Sequence, residues 1–180
     1  MALGTELFLA VTGREQIDKV LADLHLTYDW DSREFGPADV LDSINERLAT
    51  AHKKSLLDLG LEIVDPSRLK RSDGQKVEAG NYLFVKGTDG IIRETDRFIL
   101  DVYYDPHEMG EEPEHAVLGV SLISRYFPVY LDWQKEHGGS GDPISLTPDV
   151  LRQIAIARGH ISTVLPFIAD APIAIKELHY

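Results

Sequence analysis

Carboxylates and imidazoles, side chains that bind cations, are concentrated in one stretch of this chain. From Phe98 to Ser124, 27 consecutive residues include no lysine or arginine. Negative charge at this density keeps a protein soluble, or it faces a metal ion or a basic partner. A solvated connection between strands is the commonest situation, because loops are polar for solvation alone. The six acidic residues of the stretch are Asp101, Asp105, Glu108, Glu111, Glu112 and Glu114.

A divalent-metal site is one hypothesis for this stretch, and a metal-dependent enzyme would follow from it. Carboxylates suit Ca²⁺, Mg²⁺ or Mn²⁺, whereas imidazoles suit a transition metal. The spacing fits neither of two familiar motifs. The zinc-protease motif H-E-x-x-H needs histidine where Glu111 stands, and an EF-hand loop starting at Asp105 needs glutamate where Ala116 stands. The candidate ligands are Asp105, His107, Glu108 and His115.

A protein-binding surface is the second hypothesis, because aromatic residues cluster around the acidic stretch in sequence. Tyr103 shares a predicted strand face with Asp101, and Tyr130 and Trp133 border a glycine-rich segment. Tyrosine and tryptophan beside carboxylates suit contact with a basic protein, since they give rigid anchors ringed by charge. Ordinary amphipathic aromatics on a sheet are the more common explanation. The candidate partner-binding residues are Asp101, Tyr103, Asp105, Glu108, Glu111, Glu112, Glu114, Tyr130 and Trp133.

Motifs for other chemistries are missing from the sequence. It contains no phosphate-binding glycine loop and no basic-aromatic nucleic-acid signature. Ser121 follows Gly119 as in the nucleophile elbow G-x-S-x-G, but Ile123 occupies the second glycine position. The chain has no cysteine, which excludes disulfides and thiolate chemistry. We therefore expect no catalytic residue and no cofactor.

The amino-acid composition limits the kinds of molecule that this chain is expected to bind. The chain has 180 residues with 18 basic and 30 acidic side chains, a formal net charge of −12. Such a chain repels phosphate backbones and anionic lipid, so binding to nucleic acid or to a membrane surface is disfavoured. The sequence shows no basic, apolar secretory signal and no apolar run of about 18 residues. We expect a cytoplasmic protein.

Hydrophobic periodicity predicts the helices and strands that carry the candidate residues. Residues 5–12 alternate as a strand, and Thr12-Gly13-Arg14-Glu15 has the form of a capping box before a helix. Residues 28–36 show no clear period and are predicted to be a loop. A second helix opens at Gly36-Pro37, carries one apolar stripe and ends near Gly60. His52 lies on this helix and is expected at its surface or boundary.

β-type patterns dominate the next part of the chain. Gly87-Thr88-Asp89-Gly90 is a hairpin turn, residues 98–104 alternate, and residues 116–123 are apolar enough for a central strand. Thr147-Pro148 caps a third helix, and residues 172–180 alternate as a last strand. Segregated runs of strands and helices indicate an α+β fold. We predict a mainly antiparallel sheet with three helices packed on one face, in a single domain of residues 1–180.

These observations favour a non-enzymatic binding protein that engages a basic protein partner. An immunity-type or inhibitor protein of bacteria, which neutralises a basic toxin or nuclease by charge complementarity, is a concrete version. The metal-binding protein or metal-dependent enzyme remains an alternative. A homo-oligomeric structural protein, with the aromatics in a homodimer interface, is the third.

Overall fold

The computed structural model describes residues 3–71, 73–77, 82–104, 113–126 and 146–179. Three α-helices lie in these ranges: α1 (Arg14–Asp23), α2 (Ala38–Asp58) and α3 (Pro148–Ile161). The strands of the same ranges are β1 (Leu3–Thr12), β2 (Thr27–Asp29), β3 (Glu34–Gly36), β4 (Glu62–Val64), β5 (Tyr82–Lys86), β6 (Ile92–Asp96), β7 (Leu100–Tyr103), β8 (Val117–Tyr126) and β9 (Ile173–His179).

A four-stranded sheet with the order β7-β8-β1-β9 forms the centre of the fold. All its neighbours are antiparallel, and β8 contains an irregularity opposite Leu7 and Phe8. Gly119 lies where β8 crosses β1, and a Cβ atom there would be 2.2 Å from the Leu9 carbonyl oxygen. Only glycine therefore allows the two strands to approach this closely. Two smaller antiparallel sheets accompany it, β2-β3 and β4-β5-β6.

All three helices pack on one face of this sheet. Leu7 and Leu9 of β1, with Leu118 and Val120 of β8, form one cluster with the apolar stripes of the helices. The buried stripe of α2 is Ile44, Leu48 and Ala51, and that of α3 is Val150, Ile154, Ala157 and Ile161. The α+β fold class with helices on one face is confirmed.

The opposite face of the sheet carries a second, smaller cluster. Phe8, Ala10 and Val117 are buried there, and Tyr103 and Ala174 pack against them. The Ser121 hydroxyl oxygen is buried opposite Phe8, with no hydrogen-bond partner among the described residues. Ser121 thus lies within a central strand, at its irregularity opposite Phe8, and not at the sharp strand-to-helix turn that a nucleophile elbow requires.

The helix ends show which of the predicted capping residues are used in the structure. The Thr147 hydroxyl accepts a hydrogen bond from the Val150 N–H at 3.2 Å, and Gly60 follows α2 with φ 79°, as predicted. The capping box at Thr12 is wrong. Gly13 is the N-cap residue of α1, with φ 90° and no side-chain cap, and its N–H donates to the Ala116 carbonyl at 2.9 Å. This hydrogen bond ties the start of α1 to the residue that precedes β8, and the helix begins without a side-chain cap.

Two histidines differ in their surroundings. His52 is 2% exposed, which corrects the expectation of a surface or boundary position. Its ring stacks on Phe98 with centroids 4.0 Å apart. His160 of α3 contacts Asp58 of α2 at 2.6 Å between Nε2 and Oδ2, which links two helices that are distant in sequence. In the described ranges, no helix combines the length and hydropathy needed to span a membrane.

Candidate functional site

A β-hairpin of β2 and β3 carries an aromatic cluster to the end of β7. Residues 28–36, predicted to be a loop, instead pair as two short antiparallel strands. The Tyr28 ring lies 4.9 Å from Trp30 and 5.0 Å from Phe35, both in edge-on geometry. Trp30 in turn meets Tyr104 edge-on at 6.4 Å. Tyr28 is buried and the other three rings are half-buried, so the cluster lies at the surface.

Asp29 holds the hairpin turn together. Its carboxylate accepts hydrogen bonds from the N–H groups of Asp31 and Ser32, at 2.9 and 3.1 Å. These bonds, that from Ser32 above all, lower the pKa of Asp29. Arg33 closes the turn with φ 60°, a conformation that is uncommon for a non-glycine residue. The turn therefore presents Trp30 and Arg33 in fixed positions.

Two arginines of the chain lie over this cluster. The Arg33 guanidinium is 4.7 Å from the Tyr104 ring centroid, and the Arg14 guanidinium is 5.4 Å from that of Trp30. Asp18 accepts a hydrogen bond from the Trp30 indole N–H at 3.0 Å and lies 3.7 Å from Arg14. The aromatic faces of the hairpin therefore already accept guanidinium groups.

Asp101 is an exposed carboxylate on the face of β7 that carries Tyr103, and its charge acts on Tyr28 of the aromatic cluster. One of its oxygens accepts the Val102 N–H at 2.8 Å. The surrounding protein partly desolvates the carboxylate and raises its pKa, although the Val102 hydrogen bond acts in the opposite direction. The charge of Asp101 also adds to burial and to the proximity of Tyr104 in raising the pKa of Tyr28 to about 12. The positive charge of Arg33, which lies over Tyr104, acts in the opposite direction on the pKa of Tyr28.

The other candidate partner-binding residues are distributed differently. Tyr103 shares its face with Asp101, as predicted, but it is half-buried with its ring 4.3 Å from that of Phe8. Glu114 is exposed in a short 3-10 turn, Pro113–His115, which packs beside Gly13. Seven of the candidate residues lie outside the described ranges: Asp105, His107, Glu108, Glu111, Glu112, Tyr130 and Trp133.

The metal hypothesis therefore concerns only one described candidate ligand, His115, which is exposed in the same 3-10 turn. Within the described part of the chain, no three histidine, aspartate or glutamate residues are grouped closely enough to hold a metal ion.

Strand directions bring the hairpin and the acidic stretch to the same end of the sheet. Thr12 and Tyr103 both pair with Val117, so β1 ends, β7 ends and β8 begins at this end. Residues 105–112, which join Tyr104 to the 3-10 turn before β8 in sequence, lie outside the described residues. Sequence reasoning missed the hairpin, although Asp29 followed by Asp31-Ser32 is typical of an aspartate turn.

No protein-family model matches this chain, and no curated protein or solved structure is significantly similar to it. The fold and the site together define an α+β protein whose hairpin places aromatic rings beside an exposed carboxylate.

Proposed function

We propose that this chain is a non-enzymatic binding protein that engages a basic protein partner at the hairpin end of its central sheet. We name the residues Trp30, Asp31, Glu34, Asp101 and Tyr104 the acidic–aromatic surface. The connection 105–112 adjoins this surface in sequence and adds four further acidic residues. More specifically, we propose an immunity-type or inhibitor protein that binds a cationic toxin or nuclease.

The observation that carries this proposal is the state of Asp101. Ion pairs among the described residues include Arg14–Asp18 and Arg71–Asp73, and no ion pair found in those ranges includes Asp101. A carboxylate that is partly desolvated without a cation gains free energy when a partner supplies one. A lysine or arginine of a basic protein would do so and would bring the pKa of Asp101 down.

The aromatic rings support the same proposal. Half-buried tryptophan and tyrosine anchors beside charged residues are typical of energetically important interface positions. Arg14 and Arg33 lie over two of the rings in the free protein, so these rings already bind guanidinium groups and a partner arginine would compete with Arg14 and Arg33 for them. The net charge of −12 would attract a basic partner over longer distances and speed association at low salt.

The variant Asp101→Asn tests the proposal directly. The amide keeps an oxygen for the Val102 N–H but removes the charge. The immobilised chain and the variant are used to capture proteins from the native cell lysate, and the captured protein is then measured by surface plasmon resonance. We expect the chain to capture a basic protein, and Asp101→Asn to bind it about tenfold more weakly, equivalent to about 1.4 kcal/mol.

Asp170→Asn is the matched control, because it removes an exposed carboxylate elsewhere. Asp101→Asn should not weaken binding by destabilising the fold. Since the pKa of Asp101 is raised in the folded protein, its stability contribution is lost as pH rises through that pKa, and removing the charge does not weaken the fold at neutral pH. Capture of no basic protein, or equal losses for Asp101→Asn and Asp170→Asn, would contradict the proposal.

A further inference from the structure

The backbone register shows which N–H groups of β9 point away from the sheet. The Ala10 N–H donates to the Pro172 carbonyl at 3.3 Å, and the β1–β9 register continues this pairing to Ala174 opposite Phe8. Antiparallel pairs alternate between hydrogen-bonded and non-hydrogen-bonded partners. The even-numbered residues of β9 therefore bond to β1. The N–H groups that point outward are those of Ile173, Ile175, Glu177 and His179.

The same reasoning can be checked at the other end of the sheet. Carried across β1 and β8, the alternation places the N–H groups of Leu100 and Val102 on the outer edge of β7. Both of these N–H groups do bond outside the sheet, to Asn45 Oδ1 at 3.1 Å and to Asp101 Oδ1 at 2.8 Å. The register therefore predicts edge orientation correctly where it can be verified.

The outer edge of β9 has no such partners among the described residues. None of the hydrogen bonds in the described ranges involves the N–H groups of Ile173 or Ile175. The Ile175 side chain is also 45% exposed, which is unusual for a large aliphatic residue in a strand of seven. An edge strand with free N–H and carbonyl groups is a template for a further strand.

We propose that β9 pairs with β9 of a second copy of this chain, antiparallel about a two-fold axis through Ile175. The two central sheets then form one continuous eight-stranded sheet. A two-fold contact is self-complementary, because each residue meets its equivalent partner twice. Ile175 faces Ile175 of the second copy as a hydrogen-bonded pair, and Ile173 pairs with Glu177 on each side. Six backbone hydrogen bonds form across the interface.

The choice of axis follows from charge and burial. Pairing about Lys176 would form more hydrogen bonds, but it would set two lysines directly opposite each other, which is destabilising. Pairing about Ile175 sets Lys176 opposite Ala174 instead. It also removes the exposed Ile175 side chain of both copies from water. The register centred on Ile175 therefore avoids a like-charge pair and buries the apolar group.

Single cysteines test this register, because the chain contains none of its own. In a hydrogen-bonded antiparallel pair the two Cα atoms are about 5.5 Å apart, within the range that a disulfide spans. Ile175→Cys should therefore form a covalent dimer on mild oxidation, seen by non-reducing electrophoresis. In Ile173→Cys the two Cα atoms are about 14 Å apart, too far for a disulfide, so this variant should form no covalent dimer. Leu57→Cys, exposed on α2, controls for random collision.

Sedimentation velocity of the unmodified chain provides the second measurement. One strand pair makes a small interface, so we expect a dissociation constant on the order of tens of micromolar. Ile175→Lys should raise it at least tenfold by setting two positive charges on the axis, whereas Leu57→Lys should leave it unchanged. Salt should strengthen this dimer, because each copy carries −12 and salt screens their repulsion.

Three results would overturn the inference. One is a strict monomer at several hundred micromolar, which would leave β9 to an extended segment of another protein. Another is a dimer that Ile175→Lys and Leu57→Lys weaken equally. The third is equal cross-linking of Ile175→Cys and Ile173→Cys. None of these results bears on the acidic–aromatic surface, which lies at a different part of the sheet.

Discussion

The two edge strands of the central sheet differ in what their outward N–H groups contact. On β7, side-chain oxygens of Asn45 and Asp101 accept the N–H groups of Leu100 and Val102. On β9, no acceptor among the described residues meets the outward N–H groups of Ile173 and Ile175. Proteins commonly block sheet edges that must not pair with another chain. The two edges therefore differ within the described part of the chain: side chains protect β7 against strand pairing, and none of the described side chains does so at β9.

The blocked edge is also the edge beside the acidic–aromatic surface. A partner that reaches this surface meets side chains, namely the carboxylate of Asp101 and the ring of Tyr104, and not an open backbone. The open edge offers the backbone and the exposed Ile175. Salt should act in opposite directions on the two contacts, since it weakens attraction to a basic partner and reduces repulsion between two acidic copies.

The largest effect on stability is expected at Gly119, where β8 approaches β1 at the centre of the sheet. Gly119→Ala would place a Cβ atom 2.2 Å from the Leu9 carbonyl oxygen and 2.6 Å from the Ala10 Cβ atom. β1 and β8 must separate to admit it, so we expect a loss of about 3 kcal/mol or more in the free energy of unfolding. Urea denaturation followed by circular dichroism measures this loss.

Gly159→Ala is the control for that experiment. A Cβ atom there would meet nothing within 4 Å, and the residue lies inside α3. Alanine is the better helix former, so this variant should gain about 0.5–1 kcal/mol. If Gly119→Ala and Gly159→Ala had the same free energy of unfolding, the close approach of β1 and β8 would not be needed for stability. The spacing between the two edge strands would then not be fixed by this contact.

Local signals explain why much of the fold could be predicted from sequence. Thr147 caps its helix with a neighbour three residues away, and Gly60 ends α2 within one turn. The alternation of residues 98–104 likewise needs no distant partner. The prediction for Thr12 is wrong because α1 begins one residue later, with Gly13 as the N-cap residue, and the Gly13 N–H bonds to Ala116, about 100 positions away, which no local pattern reveals.

The candidate site was harder to predict for the same reason. Trp30 and Tyr104 are 74 positions apart in the chain, and only the folded sheet brings their rings together. The hairpin has no apolar alternation, because its aromatic residues pack on each other and not only on the core. Asp101 was recognised from its charge, but its role at the edge of β7 depends on strand order, which composition does not contain.

The second largest effect concerns the helix that covers the blocked edge. His52 of α2 stacks on Phe98 just before β7, and burial lowers its pKa from 6.5 to about 4, with Arg97 contributing. Between these pH values the unfolded chain binds the proton and the folded chain does not. This contribution to stability is therefore complete above pH 6.5 and lost as pH falls towards 4, by about 3 kcal/mol.

His52→Phe tests this pH dependence, because phenylalanine keeps an aromatic ring against Phe98 and cannot titrate. The free energy of unfolding, measured by urea titration at several pH values, should fall less steeply between pH 6.5 and 4 in the variant. His25→Asn is the control, since His25 is exposed with φ 60°, a conformation that asparagine tolerates. Parallel profiles for the chain and His52→Phe would contradict the assignment.

The smallest of the three effects bears most directly on the difference between the edges. Asn45→Ala removes the acceptor of the Leu100 N–H, and we expect a loss of about 1–2 kcal/mol in the free energy of unfolding. Amide hydrogen exchange should show faster exchange at Leu100, with exchange at Ile173 and Ile175 unchanged. Asn45→Asp keeps an acceptor oxygen and should retain protection at Leu100. If Leu100 stays protected in Asn45→Ala, its N–H does not depend on the side chain of α2. The side chain of Asn45 would then not distinguish the edge at β7 from the edge at β9, and the comparison between the two edges would rest on Asp101 alone.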